Sequence, residues 1–146
     1  MASVIPFEVQ RIDHVVLRVT DIDRSVSFYE AILGCEVVKR RDDLGLVHLR
    51  AGASMIDLIS IEGPLGRKGG AAPGSQGRNM DHLCLRIHPF DGASILAMLK
   101  EAGVAHTPAA QVNFGAEGHG LSLYFTDPDG NEIELKGPAL DMPDRV

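Results

Sequence analysis

Ile12-Asp13-His14-Val15-Val16-Leu17-Arg18-Val19 is written twice in this chain, the second time as Met80-Asp81-His82-Leu83-Cys84-Leu85-Arg86-Ile87. Asp, His, Leu and Arg recur in the same four places at a constant offset of 68, and the outer positions are apolar in both copies. A repeat of this kind points to a duplicated structural unit. Each copy alternates with period two and is rich in β-formers, so each reads as a strand. Val15, Leu17 and Val19 share one face with Asp13, while His14, Val16 and Arg18 share the other. One side packs and the other lines something less dry.

Working outward from the first copy, Thr20, Asp21 and Asp23 supply helix-start chemistry. The spacing predicts a helix over about 24–33, with Val26, Tyr29, Ile32 and Leu33 inward and Gly34 as the stop. Val37 and Val38 begin a strand that ends in a charged turn over 39–43. Strands over 44–50 and 54–61 follow, the latter with Ile56 and Leu58 on one face and Met55, Asp57 and Ile59 on the other. Residues 62–79 are dominated by Gly and Pro without periodicity, which reads as a flexible tether long enough to fold over a site. In the second half, 80–87 is a strand and Asp91 opens a helix carrying Ile95, Leu96, Met98, Leu99 and Ala102, closed by Gly103. Val104 to His106 is a short extended piece, and 107–120 a Gly-containing loop. Strands over 121–126 and 131–136 flank the turn Asp127-Pro128-Asp129-Gly130. The expectation is one α+β domain of two tandem βαβββ modules, a curled mixed sheet with helices on its outer face. Module one is 10–61, the linker 62–79, module two 80–137 and the tail 138–146.

A chain of 146 residues is about one domain and needs no staples. Its formal charge of -6 argues against a nucleic-acid partner. No run has the length of a transmembrane helix, and Met1 to Val9, with acidic Glu8, lacks a signal-peptide pattern. Cys35 and Cys84 lack metal-type spacing and fit free thiols in a reducing cytoplasm.

The closing strands repeat as well: Ile56-Asp57-Leu58 matches Ile133-Glu134-Leu135. Each half thus has a His on its first strand and an acid on its last, all four facing away from the helices by parity. His14, Asp57, His82 and Glu134 suit a divalent ion such as Zn, Ni, Co, Mn or Fe, which can act as a Lewis acid. Arg18 and Arg86 recur on the same face as candidate clamps for an anionic group. Cys84 fits a small packing residue, and the parity of Tyr124 is open. His48, His88, His106 and His119 have no repeat partner and read as surface or loop residues, with His119 on a loop that could close over a ligand.

The strand-His, "DIDRSVSFYEAILG", the second strand-His and "LYFTDPDGNEIEL" together resemble the vicinal oxygen chelate superfamily, over roughly residues 10–137. The resemblance implies paired βαβββ modules curled around a metal. It is nearest to small lactoylglutathione lyases, whose His, Glu, His and Glu ligands map onto His14, Asp57, His82 and Glu134. It implies a lyase or isomerase acting on a small substrate with vicinal oxygens, such as a glutathione or other thiol adduct. Glu134 or Asp57 would shuttle a proton and Arg18 would hold an anionic tail. It also implies a cup completed across a homodimer. Asp57 is one methylene shorter than the family's Glu, which leaves direct ligation, binding through water and no binding all open to it. Ile61 stands where the lyases carry Asn. A non-catalytic binder of the bleomycin-resistance type and an Fe(II) dioxygenase are the other readings the fold carries.

Overall fold

The computed structural model describes residues 4–141. The order is β1 (His14–Val19), α1 (Ile22–Leu33), β2 (Glu36–Arg41), β3 (Leu46–Ala51), β4 (Ser54–Ser60), β5 (Leu83–Arg86), α2 (Gly92–Glu101), β6 (Gln111–Gly115), β7 (Gly118–Thr126) and β8 (Glu132–Ala139). The expected α+β fold of two tandem βαβββ modules is found: each module makes its own four-stranded mixed sheet, ordered β1-β4-β3-β2 and β5-β8-β7-β6, and neither sheet is closed. In each, the first and last strands pair in parallel and the others antiparallel. Asp21 caps α1 by accepting from Arg24 N, and Asp91 caps α2 from Ser94 N, both at 3.1 Å. Gly34 ends α1 at φ 67, a conformation that favours glycine.

The two modules share one core. Leu17, Val19, Val26, Tyr29, Leu49 and Leu58 from the first meet Leu99, Leu123, Phe125, Ile133 and Leu135 from the second. The turn at 127–130 locks the halves together. Tyr29 Oη donates to Asp127 Oδ2 at 2.6 Å, and Thr20 Oγ1 donates to Asp129 Oδ1 at 2.6 Å. Asp127 also accepts from Asn131 Nδ2 at 2.8 Å and from the amides of Asp129 and Asn131 at 2.9 Å.

Four local expectations are corrected. The charged run 39–41 continues β2 and does not end it, because this edge strand is exposed throughout and Arg40 and Arg41 pair with Asp23 and Asp43. Module two finds its second strand at β6 within the expected loop; 104–106 contributes only an isolated bridge from His106 to Phe125. Glycines at 115, 118 and 120 mask that hairpin's alternation. Pro138 and Ala139 belong to β8 and not to a tail, whose residues 142–146 lie outside the described ones. The linker is docked, with a 3-10 turn at Gly66–Gly69. A Cβ at Gly66 would stand 1.9 Å from the Ser60 carbonyl oxygen, so only glycine permits that approach.

Candidate metal centre

Parallel pairing places the acids. Asp57 on β4 lies between Val16 of β1 and His48 of β3, and Glu134 on β8 lies between Cys84 of β5 and Tyr124 of β7. The faces alternate as expected. Ile56, Leu58, Ile133 and Leu135 enter the core, and the acids face the opposite side, both 5% exposed. His82 Nε2 lies 3.1 Å from Glu134 Oε1, and His14 Nε2 lies 3.9 Å from Asp57 Oδ2. The chain thus brings the four expected ligands together as two pairs and not as a set of four. Among the described residues, no three His, Cys, Asp or Glu stand close enough to hold one ion.

The aspartate before each histidine has a role that parity alone does not show. Asp13 Oδ1 lies 2.7 Å from His14 Nδ1, and Asp81 Oδ2 lies 2.7 Å from His82 Nδ1. A carboxylate only accepts, so each Nδ1 carries the proton and Nε2 is aimed at the acid. This is the outer arrangement that orients a metal-binding imidazole. It repeats in both copies, and the recurrence of Asp at 13 and 81 was its signal in the sequence. The carboxylate at Asp81, then Glu134, raises the His82 pKa above its usual value; for His14 the causes are the bond to Asp13, then the charge of Asp57.

By sequence His48 is a surface or loop residue with no repeat partner in the second half. It is half-buried, and its Nδ1 lies 2.9 Å from Asp57 Oδ1. Its counterpart is Tyr124, whose hydroxyl donates to Glu134 Oε1 at 3.0 Å. The match between His and Tyr is invisible to a search for identical residues. Burial, then the hydrogen bond to Glu134, push the Tyr124 phenol up to about 12, so it remains a donor. Desolvation and the charge of Glu134 likewise push the thiol of the exposed Cys84 up to about 11, which keeps it protonated and does not suit a nucleophile.

The two arginines have partners within the chain. Arg18 Nε donates to Gly66 O at 2.8 Å, Nη1 to Gly69 O at 3.2 Å and Ala71 O at 3.0 Å, and Nη2 to Gly70 O at 2.7 Å. Four of five donors thus hold the linker, whereas an anion clamp was expected. A Cβ at Gly69 would stand 2.4 Å from the guanidinium carbon. Arg86 pairs with Glu117 at 2.6 Å. A cleft of about 730 Å³ is lined by Arg18 and loop residues including Arg78 and Asn79, and by none of the four His and acid side chains. His119 lies in β7 with its ring 5.2 Å from that of Phe114, not on a closing loop. His106 is half-buried, with Nδ1 donating to Thr107 O at 2.6 Å.

The model of the glyoxalase/bleomycin resistance protein/dioxygenase superfamily matches residues 11–135. Virulence protein STM3117 of Salmonella typhimurium is 32% identical over 128 residues, 87% of this chain and 83% of that protein. Its crystal structure superposes with a TM-score of 0.75 at 30% identity, covering 91% of this chain and all of that one. Mitochondrial methylmalonyl-CoA epimerase of Homo sapiens is 25% identical over 125 residues, 81% of this chain and 66% of that protein. The fosfomycin resistance protein FosX of Listeria monocytogenes, crystallised with Mn(II) and sulfate, has the same fold. Its TM-score is 0.66 at 19% identity, covering 92% of this chain and 94% of that one.

Proposed function

This chain belongs to the glyoxalase/bleomycin resistance protein/dioxygenase superfamily, and from that premise we propose that it is a metal-dependent enzyme, a lyase or isomerase acting on a small substrate with vicinal oxygens. The observation that carries the reading is the doubled His–acid pair, each imidazole held by its own aspartate. His82 has carboxylates at both ring nitrogens, 2.7 and 3.1 Å away. Neither oxygen can donate, so the metal-free imidazole satisfies both only when it carries two protons, the form that its raised pKa favours. A divalent cation at Nε2 would take the place of one of them, and two imidazoles with two carboxylates suit such an ion. His14, Asp57, His82 and Glu134 would hold it. When bound, the ion would supply a Lewis acid.

The chain's own groups would handle the proton. Glu134, oriented by the Tyr124 hydroxyl, and Asp57, oriented by His48, are the general base and acid of the two half-sites. Because one chain separates the pairs, we place the complete site in a homodimer, one protomer supplying His14 and Asp57 and its partner His82 and Glu134.

The test begins with elemental analysis of tag-free protein and turnover of a hemithioacetal panel with and without chelator. Stoichiometric metal, lost in His82→Ala, together with chelator-sensitive turnover is expected. Wild-type protein without metal, or His82→Ala with a full complement, would refute the site. Metal-independent stoichiometric binding without turnover would identify a sequestering protein instead. Mixing His14→Ala with His82→Ala protomers should restore one intact site per heterodimer; no recovery would place each site within one chain.

A further inference from the structure

Lys136 is a cation on the acid-bearing face that makes no ion pair with any described residue. It lies on β8 two residues past Glu134, hence on the same face. It is only 5% exposed, as covered as Glu134 itself. Its Nζ donates to Gly118 O at 2.9 Å, leaving two of three protons without a protein acceptor, and no carboxylate among the described residues pairs with it. Its neighbour in register on β5, Arg86, has Glu117 to itself.

The surroundings are shaped around this side chain. A Cβ at Gly115 would stand 3.0 Å from Lys136 Cε, and one at Gly120 would stand 3.0 Å from Nζ. The glycines that obscure the β6–β7 hairpin in the sequence are what leave room for the lysine. Opposite Lys136 on β7 is Ser122, buried, with Oγ accepting from Asn113 Nδ2 at 2.5 Å. The serine proton and the second amide proton of Asn113 remain to be given. Three donors, the ammonium, the serine hydroxyl and the amide, thus gather at one place. A buried ammonium without an anion is costly, and one whose counter-charge arrives with a ligand is not.

We propose that Lys136, with Ser122 and Asn113 beside it, seats a compact oxyanion of the substrate, a carboxylate, phosphate or phosphonate, next to Glu134. Arg18, bound to the linker, does not take that group. The inference rests on this face being the substrate face, as in the function proposed above.

The test is amine footprinting of the full-length, metal-free protein with a succinimidyl ester, read by peptide mass spectrometry, in inorganic phosphate, acetate or chloride at equal ionic strength. Phosphate, acetate or both should slow labelling of Lys136 at least threefold while exposed Lys39, Lys68 and Lys100 are unaffected. The anion that protects tells a phosphate-like group from a carboxylate. In parallel, the protecting anion should raise the melting temperature of the wild type and not of Lys136→Met. Equal labelling of Lys136 in all three salts, or a stabilisation retained in Lys136→Met, would overturn the proposal. If Lys136→Met does not fold, the wild-type footprint alone decides. The footprint needs no metal, so it stands or fails separately from the metal site.

Discussion

Replacing Asp81 by Asn tests whether the doubled Asp-His is a device for binding metal. The substitution keeps the shape of the side chain and removes the charge that faces His82 Nδ1 at 2.7 Å. Loss of an outer partner of this kind costs roughly 10–100-fold in metal affinity. The pH dependence should change with it. In the wild type the bond to Asp81 is the largest cause of the raised His82 pKa, followed among the raising causes by Glu134. A proton on Nε2 competes with the ion, so affinity rises with pH up to that raised pKa and levels off above it. In Asp81→Asn the pKa falls back toward the ordinary histidine value, and the levelling point moves to lower pH even as the plateau affinity drops. Two imidazoles are flanked in this way, so the acid limb should have a slope of up to about two decades per pH unit, one for each displaced proton. Competition titration of Ni or Zn against a chromophoric chelator between pH 5.5 and 8.5 measures both quantities. An Asp81→Asn affinity within twofold of wild type, with an unmoved levelling point, would refute the role assigned to the aspartate.

Tyr29→Phe removes a buried donor to the Asp127 carboxylate at 2.6 Å, which should cost about 2 kcal/mol and lower the melting temperature by roughly 4–8 °C. Urea titration should show a lower midpoint with an unchanged slope; a loss below about 0.5 kcal/mol would mean that this bond does not join the modules. Arg18→Ala should free the linker, which trypsin can cut after Arg67 and Lys68, at least tenfold faster than wild type with little change in melting temperature. An unchanged rate would show that the loop holds itself in place without the guanidinium.

What was legible in the sequence was what repeats by residue type. Two Asp-His strands and two acid-bearing closing strands were enough to place the modules, their inner faces and both His–acid pairs. What escaped was carried by residues that change type or have no side chain. His48 and Tyr124 occupy equivalent register positions and perform the same task on their acids, yet share no letter. Glycine hid β6 because alternation is read from side chains, and the same glycines make the slot for Lys136. The linker's composition suggested slackness. Its glycines instead allow backbone to approach Ser60 and the Arg18 guanidinium, contacts that a local reading of 62–79 cannot contain because their partners lie on β1 and β4.

The two half-sites are not equivalent, and the difference bears on the division of labour between them. Glu134 receives Tyr124 and His82 on a single oxygen, Oε1, at 3.0 and 3.1 Å. Asp57 divides its oxygens, with Oδ1 bonded to His48 at 2.9 Å and Oδ2 facing His14 at 3.9 Å. The shorter acid is therefore drawn toward β3, and the gap to its histidine is wider by 0.8 Å. That arrangement favours Glu134 as the firmer metal donor, and Asp57 as the carboxylate left for proton transfer with His48 to orient it. His48→Ala should then depress turnover more than metal content, whereas Tyr124→Phe should weaken metal binding first. Equal losses of metal in the two variants would mean that the halves contribute alike, and that the missing methylene at position 57 is made up when the ion binds.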